Sequence, residues 1–259
     1  MKKAAYNLEI GALYCRIRQT EGIFMNKKCE YLCCLLILYL CVGVINRYEK
    51  TELQENAFPV SAGEEAVPQT ETISGETKKV ALTFDDGPGD STERLLQGLK
   101  ERNVRATFFV VGEQVEKYPE VVKKMQEDGH LIGNHTYRHV QLNTMKEEEA
   151  IQEVEKNNSL LKEITGQEIL FLRPPFGECS KCLKNDLNMM VVLWDVDPLD
   201  WAVLNTDIVV QRVVENVAED DIILLHDIYE TSVDAALQIV DILQNEKYEF
   251  VTVEELLLP

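Results

Sequence analysis

The chain has 259 residues, of which 45% are hydrophobic, and this suits either one moderate globular domain or two small ones. Its formal net charge is −19 at pH 7, and its basic residues form no patch that would follow a phosphate backbone. The composition therefore excludes nucleic acid as a partner, and we interpret the acidic surface as a source of solubility.

An apolar run at residues 31–45 follows two lysines and contains no charged residue. The run is at the upper limit for the core of a signal peptide and short for a membrane span, which needs about 20 residues. No small-residue cleavage pattern follows closely, so we expect a retained signal anchor, with a cleaved signal peptide as the alternative. Residues 1–30 would then be cytoplasmic, and Met25 reads as a natural start that would make residues 1–24 an upstream extension.

Residues 46–78 are expected to be a disordered acidic linker. Residues 51–77 hold six glutamates and no basic residue, and proline and glycine interrupt any amphipathic period. The folded domain is therefore expected at residues 79–259, outside the cytoplasm and held at the cell membrane, or secreted if the signal is cleaved. Its only cysteines, Cys179 and Cys182, are as consistent with a disulfide as with two free thiols.

From residue 79 onward, apolar runs alternate with amphipathic segments. The predicted strands are residues 80–84, 106–111, 131–133, 169–172, 190–194, 222–225 and 248–251. The predicted helices are residues 92–102, 119–128, 146–165, 181–187, 206–217 and 233–244. This alternation predicts an α/β domain with a parallel sheet of seven strands, closed or nearly so.

Residues with catalytic chemistry follow the predicted strands. Asp85 and Asp86 follow the first strand, His135 the third, Arg173 the fourth, residues 195–201 the fifth and His226 the sixth. In a (β/α) barrel the C-terminal ends of the strands share one face, so we expect these residues to meet in one pocket.

His135 and His139 are four residues apart, and on a helical turn both imidazoles would reach one metal ion. One carboxylate of Asp85 and Asp86 would complete a three-ligand site with room for water, as in a catalytic zinc site, and the other would act as a base. The alternative for two adjacent acids is a solvated turn. His130 precedes its strand, and we expect it to be structural.

The remaining candidates support the same pocket. Arg173 is either a buried partner that keeps Asp85 ionised or a surface arginine before a proline turn. His226 would face the metal as a general acid, with Asp200 orienting it. Trp201 suits a sugar ring if it is exposed, and ordinary core packing if it is not.

Five segments in this order resemble the polysaccharide deacetylases of carbohydrate esterase family four, also called the NodB-homology domain. They read TFDDGP, HTYRH, RPPFG, DPLDW and LLHD, and they begin at residues 83, 135, 173, 197 and 224. The resemblance covers residues 79–259 and implies a distorted (β/α)7 barrel, here preceded by a membrane anchor and a disordered linker. We expect the catalytic domain to be monomeric.

The resemblance also implies a role for each candidate. The implied catalytic residues are Asp85 as base, Arg173 as its orienting partner, His226 as acid and Asp200 as the partner of His226. The implied metal ligands are Asp86, His135 and His139, with Zn²⁺ as the expected ion and Co²⁺ or another divalent ion as the alternative. The implied substrate contacts are Phe176, Trp201 and Leu224.

One residue departs from the family pattern. Phe176 stands where the third motif usually ends in tyrosine. Phenylalanine keeps the backbone N–H that would stabilise an oxyanion, but it loses a side-chain hydroxyl contact to the substrate.

The resulting hypothesis is a metal-dependent hydrolase that removes N-acetyl groups from amino sugars of an envelope polysaccharide. Peptidoglycan N-acetylglucosamine is the expected substrate, because an anchor and an acidic tether suit a bacterial envelope enzyme. The enzymatic alternatives act on chitooligosaccharides, exopolysaccharides or muramic acid residues. A carbohydrate-binding homologue that has lost catalysis is disfavoured, because no ligand, base or acid is missing.

Overall fold

The computed structural model describes residues 78–178 and 187–258. The strands are β1 (Lys78–Asp85), β2 (Thr107–Val110), β3 (Leu131–Asn134), β4 (Phe171–Leu172), β5 (Met190–Val191), β6 (Ile222–His226) and β7 (Tyr248–Val251). The α-helices are α1 (Thr92–Glu101), α2 (Gly112–Lys117), α3 (Pro119–Glu127), α4 (Glu147–Thr165), α5 (Asp200–Val203), α6 (Thr206–Asn216), α7 (Glu230–Asn245) and α8 (Val253–Leu257). Single 3₁₀ turns lie at Leu142–Thr144 and Pro175–Gly177.

Several predictions fall outside the described residues. These are the anchor at residues 31–45, the linker up to residue 77, most of the predicted helix at residues 181–187, and the Cys179 and Cys182 pair. Within the two described ranges, none of the helices combines the length and the apolar character that a membrane crossing requires.

The seven strands form one parallel sheet, as the sequence predicts. The order is β5-β4-β3-β2-β1-β6, and β7 pairs with the first half of β1. Every strand pairing in the described residues is parallel. A bridge between Val196 and Ile223 connects the segment after β5 to β6. The architecture is therefore an α/β half-barrel, less completely closed than a regular barrel of seven strands.

The fifth strand is shorter than the predicted residues 190–194. It ends at Val191, and the two carbonyls that follow accept hydrogen bonds from a side chain. Val192 O accepts a hydrogen bond from Arg173 Nε at 3.3 Å, and Leu193 O accepts one from Arg173 Nη2 at 2.9 Å. A buried side chain therefore takes the place of a further strand pairing at this edge.

The alternation of β1 separates a packing face from a functional face, because successive side chains of a strand point to opposite sides. One face packs against α1, α3 and α7 through Val80, Leu82 and Phe84. On the other face, Ala81 belongs to a second apolar cluster, and Thr83 and Asp85 continue that side toward the end of the strand. Both polar residues are buried and both bind Arg173.

Strand register places the catalytic candidates beside one another. Asp85, the last residue of β1, lies opposite His226, the last residue of β6. The last residues of β3 and β4 are also paired, so His135 and Arg173, which follow them, leave the sheet side by side. Parallel pairing thus brings residues that are far apart in the sequence to one edge of the sheet. Asp85 and His226, for example, are 141 positions apart (226 minus 85).

The long helices agree with the prediction to within three residues at each end. α4 stops at Gly166, whose φ of 71° is the left-handed conformation that commonly ends a helix. Sequence reasoning missed α2, α5 and α8, which have only four to six residues and are too short to show an amphipathic period.

The turn after β1 packs directly on the turn after β6. Asp227 is fully buried, and its Oδ2 accepts a hydrogen bond from Thr92 Oγ1 at 2.5 Å. The same hydroxyl accepts from Gly89 N–H at 2.8 Å. A Cβ atom at Gly87 would lie 2.2 Å from Asp227 Oδ1. Glycine is therefore required at residue 87 for the two turns to approach each other.

We predict that Gly87→Ala lowers the free energy of unfolding of the full chain by about 1–3 kcal/mol, because the added methyl group overpacks a buried contact. The measurement is urea unfolding followed by circular dichroism. A double-mutant cycle with Asp227→Ala supplies the control, since that background lacks the carboxylate with which the methyl group collides. An equal loss in both backgrounds would contradict this explanation.

Candidate active site

Asp86, His135 and His139 form a three-residue cluster whose ligand atoms all lie within 4.8 Å of one another. His139 Nε2 is 3.1 Å from Asp86 Oδ1, and His135 Nε2 is 3.4 Å from the same oxygen. That oxygen is buried and takes no properly directed hydrogen bond from the described residues. Two imidazole nitrogens and an unsatisfied carboxylate oxygen converging on one point fit a divalent cation such as Zn²⁺.

The charge state of Asp86 suits a metal ligand. Burial alone would raise the pKa of this carboxyl group, but the nearby imidazoles of His135 and His139 outweigh burial and hold the pKa well below its usual range. The group is therefore a carboxylate at any physiological pH.

The two histidines do not lie on a helical turn, so that part of the sequence argument is wrong. They lie in a loop after β3, in which Thr136 has a φ of 65° and His139 a φ of 56°. The loop nevertheless holds the two ring centroids 5.0 Å apart. The spacing therefore predicted correctly that the two imidazole rings are neighbours, but a loop with left-handed backbone, not a helical turn, brings them together.

A hydrogen bond selects the nitrogen through which His135 can bind a metal. Its Nδ1 lies 2.6 Å from the backbone carbonyl of Arg173, so Nδ1 carries the proton and donates it to that oxygen. Nε2 is then the unprotonated nitrogen that faces Asp86, as in many metal sites where the second ring nitrogen is bound to a carbonyl group.

Arg173 is the buried partner of Asp85, and the surface alternative is excluded because its exposure is 0%. Its Nη1 donates to Asp85 Oδ1 at 2.8 Å and to Thr83 Oγ1 at 2.7 Å. The guanidinium also lies over the Phe109 ring, 4.2 Å from its centroid. One carboxylate oxygen of Asp85 is thus fixed, while Oδ2 lies 3.7 Å from His135 Nε2.

His226 and Asp200 form a second buried pair across the site. His226 Nδ1 is 2.8 Å from Asp200 Oδ1, and the backbone N–H of His226 donates to Asp200 Oδ2 at 2.8 Å. Burial lowers the pKa of His226, but the hydrogen bond and charge of Asp200 outweigh it and raise the pKa to about 9. His226 Nε2 lies 3.9 Å from Asp86 Oδ2, so its ring borders the metal cluster.

The three predicted substrate contacts differ in accessibility. Phe176 is 63% exposed, and its ring meets the His139 ring edge-on at 5.1 Å. Trp201 is 51% exposed, which favours the sugar-stacking interpretation over core packing. Leu224 is 4% exposed and presents little surface to a substrate. The substrate roles of all three residues stay predictions.

His130 lies apart from the cluster, at the opposite end of β3. Its Nδ1 accepts the backbone N–H of Ala106 at 3.1 Å, and its ring packs edge-on against Phe108. Burial lowers its pKa to about 4, so it is neutral at pH 7. This geometry agrees with a structural role.

Sequence reasoning missed the residues that support the site. Thr83 shares the inner face of β1 with Asp85, and the spacing of two residues was the available signal. Asn134 accepts the Thr136 N–H at 2.6 Å and begins the histidine loop. The contacts of Asp227, on the turn below Gly87, are set by tertiary packing and leave no signal in the sequence.

We predict that the His226 imidazole of the metal-free chain titrates near pH 9, and that Asp200→Asn lowers this pKa toward the ordinary value of 6.5. The measurement is an NMR titration of the ring protons. Because the folded pKa lies above the unfolded value, protonation of His226 stabilises the wild type fully below about pH 6.5, and this contribution is lost as the pH rises to about 9. The free energy of unfolding of Asp200→Asn should therefore change less between about pH 6.5 and about pH 9 than that of the wild type. A wild-type pKa near 6.5 would contradict the prediction.

Comparisons with known proteins agree with the family resemblance of the five sequence motifs. The family model for polysaccharide deacetylase matches residues 72–191. The chain is 38% identical over 192 residues to the peptidoglycan-N-acetylmuramic acid deacetylase PdaC of Bacillus subtilis, covering 74% of this chain and 41% of the relative. The chain thus spans less than half the length of that relative.

A shorter relative is covered almost completely. The chain is 34% identical over 194 residues to a peptidoglycan-N-acetylglucosamine deacetylase of Bacillus cereus, covering 71% of this chain and 91% of the relative. The solved structure of B. subtilis PdaC has a TM-score of 0.68 at 39% identity, covering 70% of this chain and 90% of that one. These similarities and the fold show that the chain belongs to the polysaccharide deacetylase family.

Proposed function

We propose that the chain is a metal-dependent deacetylase that hydrolyses the N-acetyl groups of amino sugars in a cell-envelope polysaccharide and releases acetate. The observation that carries this proposal is the position of the Asp85 carboxylate and the His226 imidazole on the borders of one three-residue cluster. Asp85 Oδ2 lies 3.7 Å from His135 Nε2, and His226 Nε2 lies 3.9 Å from Asp86 Oδ2.

Asp86, His135 and His139 would hold the cation, with Zn²⁺ as the expected ion. When bound, a divalent cation supplies Lewis acidity that polarises an amide carbonyl group and acidifies water. The three protein ligands leave coordination positions open, which is the arrangement of catalytic rather than structural zinc sites.

Asp85 is assigned as the general base. Arg173 holds Oδ1 and so fixes the direction of Oδ2, the atom that accepts the proton of the attacking water. The buried guanidinium keeps the carboxylate oriented without occupying both of its oxygens.

His226 is assigned as the general acid. The bond from its Nδ1–H to Asp200 orients the ring and leaves the proton on Nε2 available for the departing amine. When His226 donates this proton to the amide nitrogen, the C–N bond can break and the sugar leaves with a neutral amine. The raised pKa of His226 keeps this proton in place at neutral pH.

The exposed aromatic residues are assigned to the substrate. The backbone N–H of Phe176 would stabilise the oxyanion, and the exposed ring of Trp201 offers an apolar face to a sugar ring. The left-handed backbone at Phe176, with a φ of 62°, is a strained conformation of the kind found at functional sites.

Peptidoglycan is the proposed polymer, and N-acetylglucosamine is the proposed sugar. The names of the two relatives support the polymer, and they divide between N-acetylglucosamine and N-acetylmuramic acid. N-acetylmuramic acid is therefore the second candidate. The apolar run at residues 31–45 supports a location at the cell membrane with the catalytic domain outside the cytoplasm.

We predict that the full chain loaded with Zn²⁺ releases acetate from peptidoglycan faster than from chitin oligomers. Acetate is quantified enzymatically, and the amino sugars of the digested product are identified by chromatography. New glucosamine supports N-acetylglucosamine as the substrate, whereas new muramic acid would replace it with the second candidate. Absence of acetate from every polymer would overturn the deacetylase proposal.

The paired aspartates should respond differently to the same substitution. Asp86→Asn should weaken Zn²⁺ binding, because an amide is a poorer ligand than a carboxylate, and added Zn²⁺ should restore part of the activity. Asp85→Asn should keep the metal but lower kcat by about 10²–10⁴-fold at any Zn²⁺ concentration, because an amide cannot accept the proton. The measurements are zinc content after dialysis and acetate release across a zinc titration. Metal loss in Asp85→Asn with retention in Asp86→Asn would reverse the two roles.

A further inference from the structure

Helix α4 holds all three residues between the metal-binding histidines. Asn157 Nδ2 donates to Thr136 O at 3.0 Å. The Tyr137 N–H donates to the backbone carbonyl of Glu153 at 3.1 Å. The Arg138 N–H donates to the Glu153 side chain, to Oε2 at 3.0 Å. Helix α4 therefore anchors the loop from outside the metal cluster, together with the start of α2, whose N–H groups donate to the carbonyls of Thr136 and Tyr137.

Glu153 is the most heavily bonded of these anchors. Its side chain is 8% exposed, and its second oxygen, Oε1, contacts the Arg138 guanidinium at Nε, 2.7 Å away, and at Nη2, 2.6 Å away. The carboxylate thus binds the backbone and the side chain of Arg138 together. Charge-assisted, forked contacts of this kind are stronger and more directional than neutral hydrogen bonds.

The loop requires such an anchor because its backbone is strained. Thr136 and His139 both have left-handed φ angles, which are unfavourable for an L-residue. Backbone of this kind persists only where the surrounding structure determines it strongly. Arg138 immediately precedes His139, so the Glu153 contacts lie next to the strained metal ligand.

The two histidines are held in different ways. The ring of His135 is oriented by its own hydrogen bond to Arg173 O. Among the described residues, no carbonyl group holds the ring of His139 by a hydrogen bond of this kind. Its side chain is 34% exposed. Its direction therefore depends on the backbone that Glu153 and Arg138 help to fix, and on the edge-on contact with the Phe176 ring.

We infer that Glu153 and Arg138 form a positioning pair that sets the affinity of the Asp86–His135–His139 cluster for a divalent cation by orienting His139. The inference rests on the metal site of the proposed function. It assigns a role to a buried acid on α4 and to a loop arginine, neither of which belongs to the three-residue metal cluster.

The test is the Zn²⁺ affinity of the full chain, measured by competition with a chromogenic chelator. Glu153→Gln and Arg138→Gln should each weaken Zn²⁺ binding by about 10–100-fold, the usual effect of removing a residue that supports a metal ligand. Arg138→Lys keeps the charge without the forked geometry and should recover part of the affinity. The double variant should be little weaker than either single variant, because both changes break one interaction.

Glu149→Gln is the matched control, since Glu149 is an exposed acid one turn earlier on the same helix. It should leave Zn²⁺ affinity within twofold of the wild type. Thermal unfolding of the metal-free variants identifies a temperature at which all of them are folded, and affinities are compared there. Arg138→Gln, a change at a half-exposed side chain, keeps the test decisive if Glu153→Gln does not fold.

The outcomes separate this inference from the proposed function. Wild-type affinity in both Glu153→Gln and Arg138→Gln, at a temperature where they are folded, would show that the pair serves stability alone and would overturn the inference. A wild-type chain that binds Zn²⁺ no better than Asp86→Asn would overturn the metal site itself, and the inference with it. Acetate release by the wild type tests deacetylation independently of both results.

Discussion

The buried ion pair between Arg173 and Asp85 is the interaction on which the rest of the site depends. Arg173 has no exposed surface, and its guanidinium binds Asp85, Thr83 and two backbone carbonyls. Burying a charge is costly unless it is paired and fully hydrogen-bonded, and removal of one partner typically costs about 3–5 kcal/mol. This pair therefore holds Asp85 in one orientation, and loss of either partner would leave a buried charge uncompensated.

The same arginine also links several parts of the sheet. Its side chain reaches from the end of β4 to β1, and its donors bind the carbonyls of Val192 and Leu193 beyond β5. Its own carbonyl accepts the Nδ1 proton of His135. The directions of His135 and Asp85 are thus both set around one residue.

Strained backbone is concentrated in the motif loops. Asp86, Thr136, His139, Phe176 and Leu199 all have positive φ angles, and they are five of the ten such non-glycine residues in the described ranges. Each conformation costs on the order of 1–3 kcal/mol and is offset by the surrounding structure. The hydrogen bonds from α4 and the packing of the two turns at Gly87 supply that support. These contacts fix the directions of the side chains that the loops carry.

The sequence by itself determined the fold class and the membership of the site. Alternating apolar runs and helical periods predicted seven parallel strands, and motif positions at strand ends predicted that Asp85, His135, Arg173 and His226 would meet. These features are local, because strand alternation and residue type are written in short segments.

Only the tertiary structure decided how the site is held. It replaced the expected helical turn between His135 and His139 with a left-handed loop, and it bound the carbonyls of Val192 and Leu193 to Arg173. It also revealed Glu153 as an anchor of that loop, although in the sequence it is one of several glutamates on an amphipathic helix. Such contacts join residues from separate elements, and their energies depend on burial and direction, which no local pattern records.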